Sequence, residues 1–302
     1  MGALFYVEEF EHFEKAAGRS PATRKHHRRL LGKLSEWLES NGVAEDKIQP
    51  RDLIGFINFY GDRVSRSEVN NAVSAFRVYF RWIHEEGLRP DGVNPAARLK
   101  YQNVPAKPVE SLTTEECQRL VHWATLKAHR ERFGGLRTAT LALLLLDTGL
   151  RVGEACRLRI ADVDFSQARI VVRRTKIGDF RIVPLSVVMR KHLRRYLQRR
   201  ARVLGKWDIE SEWLFVSESG APMSVWIADE SFHRVGEKAG ISRRVYPHLL
   251  RHTFATQSLL NGAPLPAVMR LGGWRRLQTV QRYTYMNDQV AAEVHVSVAV
   301  GK

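Results

Sequence analysis

The stretch ARIVVRRTKIGDFRIVPL, residues 168–185, decides what kind of fold this 302-residue chain adopts. Polar and apolar side chains alternate along it, the period of a half-buried strand, and KIGD at 176–179 interrupts the alternation with turn residues. It therefore reads as an antiparallel hairpin. Outside it the apolar residues recur at helical spacing, so the expectation is a mainly α chain with a small antiparallel β-sheet.

Upstream, the first hundred residues read as short helices. Ser20 before Pro21 is a helix start, a capping hydroxyl followed by a residue that has no N–H to satisfy. In the segment that follows, Leu30, Leu31, Leu34, Trp37 and Leu38 share one face. RDLIGFINFYGDR at 51–63 is a further helical unit. SRSEVNNAVSAFRVYFRWIHEEG at 65–87 is another, with Val69, Val73, Phe76, Phe80 and Ile83 on its apolar side. The composition then changes. Residues 89–110 hold four prolines and no long periodicity, which reads as a linker between a first domain at 1–88 and a second at 111–302. Helix resumes at SLTTEECQRLVHWA, with Thr113 or Thr114 as cap and Glu115 and Glu116 in the first turn.

Charge narrows the function. There are 36 arginines and 12 lysines against 32 acidic residues, a net charge of +16. Arginine's planar fork grips phosphate oxygens in pairs, and a basic surface gains affinity for nucleic acid by releasing counterions. A merely solvated basic surface is the competing reading. The longest apolar run, LALLLL at 141–146, is too short to cross a bilayer, and acidic residues stand where a signal peptide carries basic ones. No membrane association and a cytoplasmic location are expected. Cys117 and Cys156 have no zinc-site spacing and read as reduced packing residues.

Four places in the second domain concentrate the groups that phosphate chemistry needs. In DTGLRVGEACRL at 147–158 a turn leads into a helix near Arg151, which puts its guanidinium beside the positive end of the helix, with Glu154 three residues on. Lys176 stands at the hairpin turn, where an ammonium aimed into a groove can protonate a leaving oxygen. In YPHLLRHTFAT at 246–256, His248, Arg251 and His252 have i, i+3, i+4 spacing, while Leu249, Leu250 and Phe254 anchor the helix. Finally, LGGWRRLQTVQRYTYMN at 271–287 places Tyr283 and Tyr285 among arginines. A phenol becomes a nucleophile when a base removes its proton or positive charge stabilises the phenolate.

These spaced motifs jointly resemble the tyrosine recombinase (phage integrase) family, and within it the short Xer-type members. TGLRVGEACRL is similar to the family's first arginine box, TKIGDFRIVPL to its β-hairpin lysine segment, HLLRH to its His-x-x-Arg-His box, and LGGW followed by RY to its terminal box. The resemblance covers residues 110–290, and the helical first domain is similar to the family's SAM-like core-binding domain. It implies an α+β tyrosine-recombinase catalytic domain that cleaves and rejoins double-stranded DNA through a 3′-phosphotyrosine link, without metal, ATP or other cofactor. By that resemblance Arg151 and Arg251 clamp the scissile phosphate and Lys176 is the general acid. His248 assists proton transfer, Trp274 donates its indole N–H, and Tyr283, nine residues after Trp274, attacks. Glu154 and His252 support them. Most Xer-type members have histidine where Trp274 stands, and tryptophan can donate but cannot shuttle a proton.

The resemblance also implies a homotetramer on two DNA sites, and the tail after Tyr283 reads either as a packing segment of its own domain or, as in the family, as one docked on a neighbouring protomer. No arm-type DNA-binding domain is expected before the first helices. Two other readings stay open at this stage: a type IB topoisomerase-like enzyme, and a DNA-binding regulator without catalysis.

Overall fold

The computed structural model describes residues 4–105, 110–173, 180–217, 219–277 and 280. The chain divides into two compact units, 1–106 and 107–302. Among the described residues no helix is long and apolar enough to cross a membrane.

Among its described residues the first unit holds four α-helices: α1 (Val7–Ala16), α2 (Pro21–Ser40), α3 (Pro50–Gly61) and α4 (Arg66–Glu85). Two of the starts are marked by a hydroxyl. The Ser20 hydroxyl accepts the Thr23 N–H at 3.1 Å before α2, and the Ser65 hydroxyl accepts the Glu68 N–H at 3.3 Å before α4. Leu30, Leu31, Leu34 and Leu38 of α2 are buried with Val69, Val73, Phe76, Phe80 and Ile83 of α4 in one core. Trp37, expected on the same face, only lines its edge.

The stretch expected as a linker begins inside this core. Arg89 is buried and donates to the carbonyls of Glu45 at 2.7 Å and of Asp46 and Ile48 at 3.2 Å each. Ala96 and Leu99 are buried beyond it. The Asn70 side chain accepts the Gln102 N–H at 2.7 Å and donates to the Gln102 carbonyl at 2.9 Å. Residues 89–103 thus belong to the packing of the first unit, because one buried guanidinium bonds three backbone carbonyls more than forty residues away.

The second unit contains α5 (Thr114–His122), α6 (Phe133–Thr148), the single turn α7 (Val152–Ala155), the strands β1 (Val163–Asp164), β2 (Arg169–Arg173) and β3 (Phe180–Pro184), and then α8 (Val187–Gly205), α9 (Val225–Ser231), α10 (Val235–Ala239), α11 (Pro247–Leu260) and α12 (Leu265–Gly272). Thr113 is the cap of α5, in a reciprocal pair with Glu116. The central α6 is apolar nearly all round and packs against both α8 and α11. The three strands form one antiparallel sheet in the order β1-β2-β3, with Ile170 opposite Val183 and Val172 opposite Arg181. The expected hairpin strands are therefore present, with Ile170, Val172 and Val183 inward and Phe180 and Ile182 outward. The KIGD turn, with Lys176, lies outside the described residues.

Candidate active site

The site is built on three local features. The first ends α6. Gly149 adopts a left-handed conformation, φ 64°, and a Cβ there would meet the Phe254 ring at 2.2 Å. The turn seats Arg151 as the residue that opens α7. Glu154 then caps this start from one side: the Arg151 N–H donates to Glu154 Oε2 at 2.9 Å, and Arg151 Nη1 donates to Glu154 Oε1 at 3.3 Å. The Arg151 side chain stays about half exposed and reaches the Gly273 carbonyl at 3.2 Å.

The second feature is the end of α12. Gly273 is left-handed, φ 70°, and a Cβ on Gly272 would overlap the Trp274 ring at 1.9 Å. The two glycines of LGGW thus fold the tryptophan back onto its own helix. Trp274 is buried there, and the Arg251 guanidinium lies over its ring with 4.0 Å between them. A cation stacked on an indole face gains roughly 0.5–2 kcal/mol. Arg251 also donates to the Gly149 carbonyl, joining α11 to the α6–α7 turn.

The third feature is a residue that the sequence motifs do not single out. Arg181 on β3 is 7% exposed and points inward between outward-facing Phe180 and Ile182. Its Nη1 and Nη2 donate to Glu154 Oε1 and Oε2 at 3.0 and 2.7 Å, and its Nε donates to the Leu271 carbonyl at 2.8 Å. The signal was present in the hairpin's alternation, since Arg181 has the same parity as core Val183.

Glu154 is consequently a hub for two arginines. Burial pushes its carboxyl up, but the Arg181 bonds, the Arg151 N–H and the two positive charges outweigh this and hold its pKa at about 2. Glu154 thus serves Arg151 and Arg181, while Arg251 stands nearby on the Trp274 ring. The carbonyls of Leu271 and Gly273, at the negative end of α12, orient two of the guanidiniums.

Of the expected site residues, Arg151, Glu154, Arg251 and Trp274 come together here from three separate segments. His248 is exposed one turn before Arg251 on α11, with its ring 6.3 Å from that of His252. The shared face expected for these three is split: Arg251 is buried while His248 faces outward. Lys176, Tyr283 and Tyr285 lie outside the described residues.

A helical unit followed by a helix-and-hairpin unit in which arginines from separate segments gather beside one tryptophan has the layout of a DNA strand-cleaving and rejoining enzyme. Residues 110–290 match the phage integrase family, and residues 7–87 match the phage integrase N-terminal SAM-like domain. The chain belongs to the phage integrase family and is a tyrosine recombinase of the short Xer type, a site-specific DNA recombinase. It is 32% identical over 285 residues to tyrosine recombinase XerA of Thermococcus onnurineus (strain NA1), covering 92% of this chain and 89% of that one. It is 30% identical over 296 residues to tyrosine recombinase XerC of Oceanobacillus iheyensis, covering 96% and 94%. Among solved structures, the fold resembles XerH site-specific recombinase bound to palindromic difH substrate in a post-cleavage complex. That likeness has a TM-score of 0.76 at 20% identity and covers 95% of this chain and 82% of that one.

Proposed function

We infer that Arg151 and Arg251 hold the non-bridging oxygens of the scissile phosphate and that Tyr283 attacks the phosphorus. The Tyr283 hydroxyl oxygen forms the new P–O bond while the bond to the 5′ oxygen breaks. Lys176 gives its proton to that leaving oxygen, and His248 takes the phenol's proton or passes it to solvent. The product is a 3′-phosphotyrosine link that keeps the energy of the phosphodiester, and attack on it by a second 5′ hydroxyl rejoins the strand. The Trp274 indole N–H donates to a phosphate oxygen as charge builds on it. His252 supports His248 from the next turn, and Glu154 holds Arg151.

The observation that carries this reading is the meeting of Arg151, Arg251 and Trp274, through the Gly149 and Gly273 carbonyls and the stacked ring. A pentavalent phosphorane carries more negative charge than the diester it forms from, and guanidiniums preset in a protein-lined site stabilise it without reorganising solvent. The helical unit at 1–88 acts as the core-binding DNA clamp, and the working assembly is a homotetramer on two duplex sites in the cytoplasm.

The test is a nicked duplex carrying the target sequence, on which cleavage releases a short strand and traps the enzyme. A covalent protein–DNA adduct forms with the native chain and disappears in Tyr283→Phe. An adduct that survives Tyr283→Phe, or relaxation of plasmids lacking any target site, would refute the assignment.

A further inference from the structure

Helix α8 carries a charge pattern that the cleavage chemistry does not use. Its inner side is locked in place. Met189, Leu193 and Tyr196 are buried, His192 Nε2 lies 3.0 Å from the Thr140 hydroxyl, the Tyr196 hydroxyl donates to the Leu214 carbonyl at 3.0 Å, and Arg200 donates to the Ser211 carbonyl at 2.9 Å. Its outer side presents Lys191, Arg195, Arg199 and Arg202, continued by Lys206 at the C-cap, all exposed. At about 100° per residue these five fall within an arc of roughly 80°, and at about 1.5 Å rise they form a stripe about 22 Å long. That is the axial length of six or seven base pairs at about 3.4 Å each.

Two further facts separate this stripe from an ordinary solvated face. Helix α8 contains no Asp or Glu, and among the described residues none of the five cations is paired with a carboxylate. The other long polar helices are different: in α2, Arg24 and Arg29 are paired with Glu11 and Glu68, and in α4 Arg81 stands beside Glu85. The stripe also stacks like charges at i, i+4 (Lys191–Arg195, Arg195–Arg199, Arg202–Lys206), an arrangement that costs an isolated helix stability. The unfavourable spacing is relieved when a polyanion neutralises it. A row of mostly arginine forks on one helix, with no carboxylate among them to repel a phosphate, fits the phosphate oxygens that a DNA backbone presents whatever its sequence.

We propose that the outer stripe of α8 is a second, sequence-independent contact for duplex DNA, engaging sugar–phosphate backbone beyond the segment held at the cleavage site. None of its residues belongs to the cluster around Glu154, so the two surfaces are separable by mutation.

The experiment compares the full chain with the triple variant Lys191→Gln/Arg195→Gln/Arg199→Gln on a long random-sequence duplex, with affinity measured across a salt series. Every phosphate that a side chain no longer neutralises lowers the slope of log affinity against log salt by about 0.9, so the triple variant should lower it by roughly 2–3. The charge-preserving variant Arg195→Lys/Arg199→Lys should keep the native slope, which separates lost charge from a disturbed fold. At saturating protein, the rate of covalent adduct formation on a nicked target duplex should match the native enzyme. A triple variant with an unchanged salt slope overturns the proposal. So does a loss of adduct formation equal to the loss of binding, since the stripe would then be part of the cleavage site.

Discussion

Arg181 and Glu154 form a two-bonded ion pair inside the catalytic unit, with Nη1 to Oε1 at 3.0 Å and Nη2 to Oε2 at 2.7 Å. The pair ties β3 to the single turn that presents Arg151. Through Arg181 Nε it also ties both to the end of α12 that presents Trp274. Three segments distant in sequence are thereby held by one guanidinium. Arg181→Met leaves a buried carboxylate without its bidentate partner and should cost about 3–5 kcal/mol in chemical denaturation of the catalytic unit. The double variant Arg181→Met/Glu154→Gln should recover part of that loss, because no charge is then left buried alone.

Acid should unfold the native chain through the same pair. Burial raises the Glu154 pKa, but Arg181 and Arg151 bring it down to about 2 from an ordinary 4.5. A depressed carboxylate pKa adds stability above its unfolded value, and that stability is lost as pH falls through the folded value. Stability should therefore decline between about pH 4.5 and pH 2, with roughly 3 kcal/mol of the decline due to this group. Thermal melts of Glu154→Gln across that window should show a shallower slope than the native chain. Parallel slopes would remove Glu154 from the account.

Gly149→Ala tests the turn before Arg151. It forces an L side chain into φ 64° and sets a methyl 2.2 Å from a Phe254 ring carbon. A loss of at least roughly 1–3 kcal/mol is expected in denaturant titrations, from the strained backbone alone. Phe254→Leu should relieve the clash but not the backbone strain, so the double variant should regain only part of the loss.

Trp274→Phe keeps an aromatic face for the Arg251 guanidinium and removes the N–H. Losing one donor to a charge that develops in the transition state costs on the order of 10²-fold in rate. Single-turnover cleavage should fall by about that factor, with DNA affinity nearly unchanged. Trp274→His restores a donor at the position and should recover more activity than phenylalanine.

The two tyrosines of RYTYM should separate cleanly. Tyr283→Phe should abolish covalent adduct formation while DNA binding persists, and Tyr285→Phe should leave cleavage largely intact. Denaturing gel electrophoresis of a trapped nicked substrate reads both.

Much of the fold was legible because it is written in local chemistry. Ser20 with Pro21 and Thr113 mark helix starts through bonds to N–H groups three residues away. Leu30 to Leu38 and Val69 to Ile83 mark buried faces through helical spacing, and the alternation of 168–185 marks the hairpin. The linker reading was less complete. Proline content suggested a loose stretch from residue 89, but Arg89 donates across more than forty residues of chain to Glu45 and Ile48, and no local pattern announces that.

The candidate site divides in the same way. Sequence alone determined which residue types are available at which spacing: Arg151 with Glu154, His248 with Arg251, and Trp274 nine residues before Tyr283. Only the tertiary structure decided which of them meet. Glu154 looked like the partner of Arg151 three residues away, yet its bidentate partner is Arg181, twenty-seven residues on and on another element. Arg251 lies on the Trp274 ring because Gly272 leaves room for the indole and Gly273 turns the chain back. The physical reason is range. Caps and periodicity act over a few residues and can be read along the chain, whereas an ion pair or a stacked ring depends on where the packed core carries segments that are distant in sequence.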